Sequence, residues 1–206
     1  MFTTRDMQLH RILAVALLVA VAAPAGAAVT VYTSLAAFQA AAPLAGLATD
    51  LESKPVGSAP AFTLGGLSFS SPLNNMYVIG PTAVGTTSPP PPSHMLSANG
   101  QEDIFIAWPG FWAYAFGFTL LTNAYTPHTV TLYDASNAVF LTYHPTQAPN
   151  TIGFVGFVSD TPITKAHWVA AQGQLQNTAL DNFHADLQAA VPTAPSSWGG
   201  VKALYR

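Results

Sequence analysis

The chain has 206 residues, of which 50% are hydrophobic and only 7% are charged, and it contains no cysteine. This excludes a disulfide framework, a thiolate zinc site and a cysteine nucleophile, so stability must come from an apolar core. Beyond residue 27, four basic side chains stand against eight acidic ones. That balance cannot supply the positive track that nucleic acids require, so we expect no nucleic-acid partner.

The N-terminus has the pattern of a secretory signal. Arg5 and Arg11 precede an unbroken apolar run at residues 12–23, and small residues follow up to Ala28. This order predicts a signal peptide at residues 1–27, with cleavage after Ala27 or, as the alternative, after Ala28. The run of about twelve residues is short of the roughly 20 that cross a bilayer. A retained anchor is therefore the lesser alternative, and we expect a secreted or cell-surface bacterial protein with no membrane span after cleavage.

Two local signals follow the predicted leader. Residues 34–42 read as a short helix with Ser34 as the N-cap, ended by Pro43 and Gly46. Further on, Gly65 and Gly66 separate two strand-like runs, a pattern typical of a hairpin with a two-residue turn.

Short strand-like runs separated by turn residues make up most of the chain. Regular strands with turns about every ten residues predict an all-β, antiparallel sandwich over residues 28–187. The runs lie at residues 29–32, 49–52, 62–64, 67–70, 76–79, 103–108, 112–121, 129–133, 139–143, 152–158, 163–169 and 178–183.

The run at 112–121 is the strongest of these. Trp112, Tyr114, Phe116 and Phe118 alternate with small residues and Thr119, so one strand face is aromatic. We predict that the aromatic face is core. A sugar-stacking platform is the alternative.

The end of the chain differs in composition. Residues 188–197 are rich in Ala, Pro and Ser, and apolar side chains then recur at helical spacing between Trp198 and Tyr205. We predict a linker followed by a short amphipathic segment over residues 188–206, which docks on the domain or on a partner.

Oxygen ligands occur near both ends of the predicted domain. Asp50 and Glu52 share one face of the predicted run at 49–52, and Asp181 and Asn182 lie on the last run. First and last strands are often neighbours, and calcium takes six to eight such oxygens. The sequence therefore suggests a structural calcium site. The alternative is that Asp50 caps a turn while Asp181 and Asn182 bond to loop amides.

No catalytic constellation is recognisable. Glu102 and Asp103 are adjacent and so point to opposite strand faces, while Asp160 precedes Thr-Pro as in a turn. The five histidines beyond residue 27 have no metal-ligand spacing, and no Gly-x-Ser-x-Gly motif occurs. A non-enzymatic protein is therefore the leading interpretation, and a polysaccharide hydrolase that uses Glu102, Asp103 or Asp160 as its acid is the alternative.

Several short motifs together resemble the exported domains of PEP-CTERM-type proteins. They are Asp50-Leu51-Glu52 with Pro55-Val56-Gly57, Leu64-Gly65-Gly66-Leu67-Ser68-Phe69, Ala115-Phe116-Gly117-Phe118, Gly156-Phe157-Val158-Ser159-Asp160, Pro162-Ile163 and Ala179-Leu180-Asp181-Asn182-Phe183. The resemblance spans residues 29–185. It implies a jelly roll like that of carbohydrate-binding modules, with a structural calcium ion held by Glu52 or Asp50 and by Asp181.

The C-terminus departs from that family. The family's sorting tag has a Val-Pro-Glu-Pro motif, a membrane-spanning helix and a basic end. This chain has Val191-Pro192-Thr193-Ala194-Pro195 and no such span. We therefore expect simple secretion rather than anchoring by a sorting tag.

The resulting hypothesis is a secreted β-sandwich module that serves a surface or extracellular-matrix role and binds a glycan or matrix component. Aromatic side chains outside the core would then stack on the sugar, and the candidates are Trp108, Phe111, Tyr125, Tyr143 and Trp168. The alternatives are the hydrolase and a purely structural protein whose tail docks on a partner.

Overall fold

The structure is a computed structural model that describes residues 27–82, 91–98, 100–122, 128–170 and 178–189. These residues form one short helix and fifteen strands. The elements are β1 (Val29–Tyr32), α1 (Leu35–Ala41), β2 (Gly46–Thr49), β3 (Gly57–Ser58), β4 (Phe62–Leu64), β5 (Leu67–Ser70), β6 (Met76–Ile79), β7 (Met95–Ala98), β8 (Asp103–Ala107), β9 (Phe111–Leu121), β10 (His128–Tyr133), β11 (Val139–Tyr143), β12 (Ile152–Ile163), β13 (Lys165–Ala170), β14 (Ala179–Ala185) and β15 (Gln188–Ala189).

The strands form two antiparallel sheets. The nine-stranded sheet has the order β1-β12-β9-β14-β7-β6-β3, with β2 paired to β14 and β15 paired to β9. The six-stranded sheet has the order β11-β10-β13-β8-β5-β4. The prediction of an all-β sandwich with one short helix is confirmed.

Aromatic side chains from both sheets fill the space between them. Phe69 of the six-stranded sheet meets Phe183 of the nine-stranded sheet with ring centroids 4.9 Å apart. Both are fully buried, as are Phe116 and Trp168. Each such burial stabilises the fold by about 1.5–3 kcal/mol, which is how a chain without disulfides holds its sheets together.

The helix begins where its sequence predicts. The Ser34 hydroxyl accepts a hydrogen bond from the Ala37 amide at 3.3 Å, and the helix ends at Ala41. Its one buried side chain, Phe38, lies over Gly156, where a Cβ atom would come within 2.5 Å of the ring. The missing side chain at Gly156 is therefore what lets the helix approach the nine-stranded sheet.

The glycine hairpin is also confirmed. Leu64 of β4 pairs with Leu67 of β5, and the two turn residues have φ values of +59° at Gly65 and +81° at Gly66. Positive φ at both central residues is the geometry of a type I′ turn, whose twist matches that of the flanking strands.

The aromatic face of β9 is only partly in the core. Phe116 and Phe118 are fully buried as predicted, whereas Trp112 and Tyr114 are partly exposed and Ala113 takes a place in the main core. The backbone amides of Tyr114 and Ala115 both donate to Asp186 Oδ1, at 2.8 and 2.7 Å. Opposite this point the register of β12 shifts between Val158 and Ile163, which pair with Ala115 and Ala113. The ladder therefore has a bulge here, and the alternation along β9 shifts by one residue. Strict period-two alternation was therefore wrong for the first half of the strand.

Other predictions differ at element boundaries. The strand expected at 49–52 lies at Gly46–Thr49, so Asp50 and Glu52 lie in the turn that follows it. Strand β7 has no counterpart among the predicted runs, and β15 lies where the linker was expected to begin.

Three predictions concern residues outside the described ranges. They are the signal peptide up to residue 26, Tyr125, and the tail segment from residue 190 onward. The part of the chain that the structure does describe holds no helix with the length and hydrophobicity of a membrane span.

Candidate functional site

Two of the aromatic residues predicted to bind glycan belong to the core. Trp108 is 1% exposed and its indole nitrogen donates to the carbonyl oxygen of Ile163 at 2.6 Å. Trp168 is fully buried, and its ring lies parallel to the imidazole of His128. Neither ring can stack on a sugar, so the prediction was wrong for both. They lie on the inner face of their strands, and a strand pattern alone does not say which face is inside.

The other aromatic candidates do not form one platform. Phe111 is 40% exposed and has no ring contact among the described residues. Tyr143 is partly buried at the end of β11, with its ring edge-to-face against Phe157. Tyr125 lies outside the described ranges.

A different group of side chains lies together on the outer face of the six-stranded sheet. On β8, β10 and β13 the alternate residues Ile104, Leu132 and Trp168 belong to the core. The residues between them therefore point away from the core. We call Asp103, Phe105, Tyr133, Lys165 and His167 the outer-face cluster.

An aspartate and a histidine form one end of this cluster. His167 Nε2 lies 2.6 Å from Asp103 Oδ1, with the two side chains 19% and 20% exposed. The Phe105 ring stacks on the imidazole, with centroids 3.9 Å apart and planes within 11°. The carboxylate and the phenyl ring together fix the orientation of His167. Its second ring nitrogen has no partner among the described residues.

A lysine joins the other end. Lys165 Nζ lies 4.0 Å from the ring centroid of Tyr133 and 5.1 Å from that of Phe105, within cation–π range. The same nitrogen donates to Asn137 Oδ1 at 2.6 Å. A continuous row of contacts therefore crosses three strands from Asp103 to Tyr133, and it offers both charge signs and several hydrogen-bonding groups.

The hydrogen bonding of His167 among the described residues differs from that of a Ser-His-Asp triad. A catalytic serine or threonine would hydrogen-bond to the imidazole that Asp103 orients. Within the described ranges, His167 forms no hydrogen bond with a hydroxyl group. Sequence reasoning missed the cluster, although Asp103 and Phe105 on one strand, and Lys165 and His167 on another, each alternate with core residues.

The predicted calcium ligand Asp181 is buried near Ser93. It is 1% exposed, and its Oδ2 accepts from the Ser93 hydroxyl at 2.6 Å and from the Asn182 side-chain amide at 3.1 Å. Its Oδ1 has no hydrogen-bond partner among the described residues. Burial, and to a lesser extent the nearby carboxylate of Asp50, raise the pKa of Asp181 above its ordinary value.

The other predicted ligands lie near this carboxylate. Asp50 Oδ1 accepts from the Glu52 amide at 3.2 Å, and Glu52 Oε1 accepts from the His94 amide at 3.0 Å. Asp181 and Glu52 therefore both take donors from the Ser93–His94 dipeptide. The structure thus brings the predicted residues into one region, but Asp50 caps a turn there. In the described part of the chain, no three His, Asp or Glu side chains are grouped as a metal site.

The three carboxylates of the hydrolase alternative are separated. Glu102 is fully buried, whereas Asp103 lies on the outer face and Asp160 is exposed on β12 in the other sheet. Burial raises the pKa of Glu102 to about 8. A paired acid and base that face one cleft are not assembled from these residues.

Comparison with known proteins adds no family to this description. No protein-family model matches the chain, and no curated protein matches it significantly. Function must therefore be argued from the geometry of the outer-face cluster and of the Asp181 region.

Proposed function

We propose that the chain is an exported, non-enzymatic β-sandwich module that binds an extracellular glycan on the outer face of its six-stranded sheet. The outer-face cluster carries this proposal. Asp103, His167 and Lys165 supply acceptors and donors that match sugar hydroxyl groups, and Phe105 and Tyr133 flank them with apolar ring surface.

Export is supported by the signal-peptide pattern of residues 1–27. The resemblance to exported PEP-CTERM-type domains, which are similar to carbohydrate-binding modules, favours the same compartment and ligand class. A surface rich in hydroxyl and amide side chains, with few charges, also suits contact with a neutral polysaccharide.

Glycan-array screening of the chain 28–206, followed by calorimetric titration of any ligand found, tests the binding proposal. We expect His167→Gln to weaken binding by about tenfold, equivalent to about 1.4 kcal/mol, because the oriented imidazole is lost. His144→Gln is the control, since His144 is an exposed histidine directly after β11 of the same sheet and bonds to Thr129 instead. Equal loss in both variants, or no binding to any glycan, would contradict the proposal.

The hydrolase alternative has its own measurement. Incubating the chain with the polysaccharides that it binds should release no new reducing ends, because Glu102 is enclosed in the interior and Asp103 pairs with His167. If the wild type releases reducing ends and Asp103→Asn does not, the protein is a hydrolase and the non-enzymatic proposal is wrong.

We also propose that calcium binds at Asp181 and Asp50. The Oδ1 of Asp181, which is buried and has no hydrogen-bond partner among the described residues, fits a hard cation that needs oxygen ligands, and a second carboxylate lies nearby. Glu52 and Asn182 fit less well, because Glu52 is bonded to the His94 amide and Asn182 turns its amide nitrogen toward Asp181. Calcium would neutralise the two carboxylates and tie the turn after β2 to β14.

Thermal unfolding with calcium and with chelator tests this site. At a calcium concentration of about 100 times Kd, folding should gain about 2.7 kcal/mol, seen as a higher Tm. Asp181→Asn should abolish the response. Asp134→Asn, which changes a carboxylate in the turn between β10 and β11, should retain the response. If the wild-type Tm is the same with calcium and with chelator, the proposed calcium site is wrong. The glycan proposal does not depend on this result.

A further inference from the structure

The first described residues are held by a carboxylate from a distant strand. Strand β1 pairs with β12 from Val29 opposite Ser159. One residue earlier, the Ala28 nitrogen donates to Asp160 Oδ1 at 2.9 Å, and the Ala28 carbonyl oxygen accepts from the Asp160 amide at 3.1 Å. Asp160 therefore binds both backbone polar groups of a single residue.

That residue adjoins the predicted cleavage point. Ala28 follows Ala27, after which the signal peptide is expected to be cut. In the uncut chain the Ala28 nitrogen is a neutral amide with one hydrogen. After cutting it is an α-ammonium group, and an ammonium donor makes a stronger, charge-assisted hydrogen bond to a carboxylate.

We infer that export processing cuts the chain between Ala27 and Ala28 and that the new α-ammonium group forms an ion pair with Asp160. This rests on the proposed export. In the step, water hydrolyses the Ala27–Ala28 peptide bond. The carbonyl carbon of Ala27 keeps the water oxygen as a carboxylate, and the nitrogen of Ala28 takes up protons to become the ammonium group.

The geometry distinguishes the two cleavage positions that the sequence leaves open. Cutting after Ala28 would remove that residue and with it both hydrogen bonds to Asp160. Among the described residues, the carboxylate would then keep the Thr161 hydroxyl alone, which donates to the same Oδ1 at 3.1 Å. Cutting after Ala27 retains all three interactions and adds a charge at the point where the carboxylate lies.

Asp160 and Ala28 are both exposed, so water screens their attraction and overall stability is a poor readout. The pKa of the α-amino group is a more sensitive readout of the ion pair. Free N-termini titrate at about 7.7–8.0, and a nearby carboxylate favours the charged amine. We expect the amino group of the chain 28–206 to titrate higher by about 0.5 pH unit.

Two measurements test the inference. The full chain is exported from a bacterial host and its intact mass is determined, which should show a protein that starts at Ala28. Separately, the chain 28–206 is released from a cleavable fusion, and its α-amino pKa is measured by NMR in wild type, in Asp160→Asn and in Asp134→Asn. The elevation should vanish in Asp160→Asn and persist in the Asp134→Asn control.

The outcomes separate the inference from the export on which it rests. A chain that keeps residues 1–27 would overturn the cleavage, and its recovery from the cytoplasm rather than from outside it would overturn export as well. An exported chain that starts at Val29 would overturn the cleavage site, and with it the ion pair in the exported protein, because Ala28 would be lost; export itself would stand. Equal α-amino pKa values in wild type and Asp160→Asn would overturn the ion pair, whatever the host does with the leader.

Discussion

Replacing Glu102 by Gln should stabilise the protein increasingly as the pH rises. Glu102 is fully buried just before β8, and its Oε1 accepts from the Thr178 amide at 3.3 Å. No donor among the described residues reaches its Oε2. Burial raises its pKa from 4.5 to about 8, so the folded protein holds a neutral carboxylic acid at pH 7.

A buried histidine has the opposite effect. His128 is 2% exposed, and neither of its ring nitrogens has a partner among the described residues. Burial lowers its pKa from 6.5 to about 4. Glu102 and His128 are therefore both neutral in the folded protein across much of the physiological pH range.

The two groups change stability in opposite directions. Between pH 4.5 and 8 the folded state keeps a proton on Glu102 that the unfolded chain releases, so stability falls by about 1.4 kcal/mol per pH unit. Between pH 4 and 6.5 the unfolded chain holds a proton on His128 that the folded state lacks, so stability rises at the same rate. The two slopes cancel between pH 4.5 and 6.5, and Glu102 alone then costs about 2 kcal/mol up to pH 8.

Urea unfolding of wild type, Glu102→Gln and His128→Gln from pH 4 to 9 measures these contributions. The stability of Glu102→Gln relative to wild type should increase by about 5 kcal/mol between pH 4.5 and pH 8. The stability of His128→Gln relative to wild type should decrease by about 3 kcal/mol between pH 4 and pH 6.5. Any change in packing adds a constant offset to each curve and leaves its slope unchanged. Other titrating groups cancel in each difference. A stability difference between Glu102→Gln and wild type that does not change with pH would refute the reasoning. It would show that Glu102 is ionised in the folded state.

Two further changes test how local structure is held, each by chemical unfolding. Gly65→Ala should cost about 2 kcal/mol or more, because Gly65 has positive φ and an added Cβ would overlap the carbonyl oxygen of Ala48. Gly66→Ala should cost less, because its Cβ would meet only the end of a flexible side chain. If the two variants lose the same free energy of unfolding, the overlap with Ala48 is not what makes Gly65 necessary. Asp186→Ala should cost about 2 kcal/mol by leaving two amides of β9 without an acceptor. Asp186→Asn keeps an acceptor oxygen and should cost clearly less, and similar losses in the two variants would show that charge holds the bulge.

Features that depend on neighbouring residues were predictable from the sequence. The N-cap at Ser34 and the turn at Gly65 and Gly66 follow from short-range sterics and hydrogen bonding, and the structure confirms both. The overall sandwich followed from the spacing of strands and turns. The shift in alternation along β9 could not be predicted in this way. Asp186, which binds the β9 backbone at that point, is 72 residues from Tyr114 in the chain.

The candidate sites depend even more on long-range pairing. Ser93 and Asp181 are 88 residues apart, and Asp103 and His167 are 64 apart. A strand pattern shows that residues alternate between two faces, but it does not say which strands are neighbours or which face is inside. For that reason Trp108 and Trp168 were assigned to the surface, while the pair formed by Asp103 and His167 was not foreseen.

Successive side chains of β13 point alternately to the core and to the outer face, so different residues of this strand serve stability and the proposed binding. Ala166 and Trp168 point into the core, whereas Lys165 and His167 point outward to the cluster that we propose binds glycan. Core packing fixes the backbone of the strand and thus the positions of the outward side chains, which pack on one another outside the main core. Changes at His167 should therefore alter binding without unfolding the protein. The same alternation on β8 places Asp103 beside a core isoleucine, so a rigid scaffold positions both members of the pair.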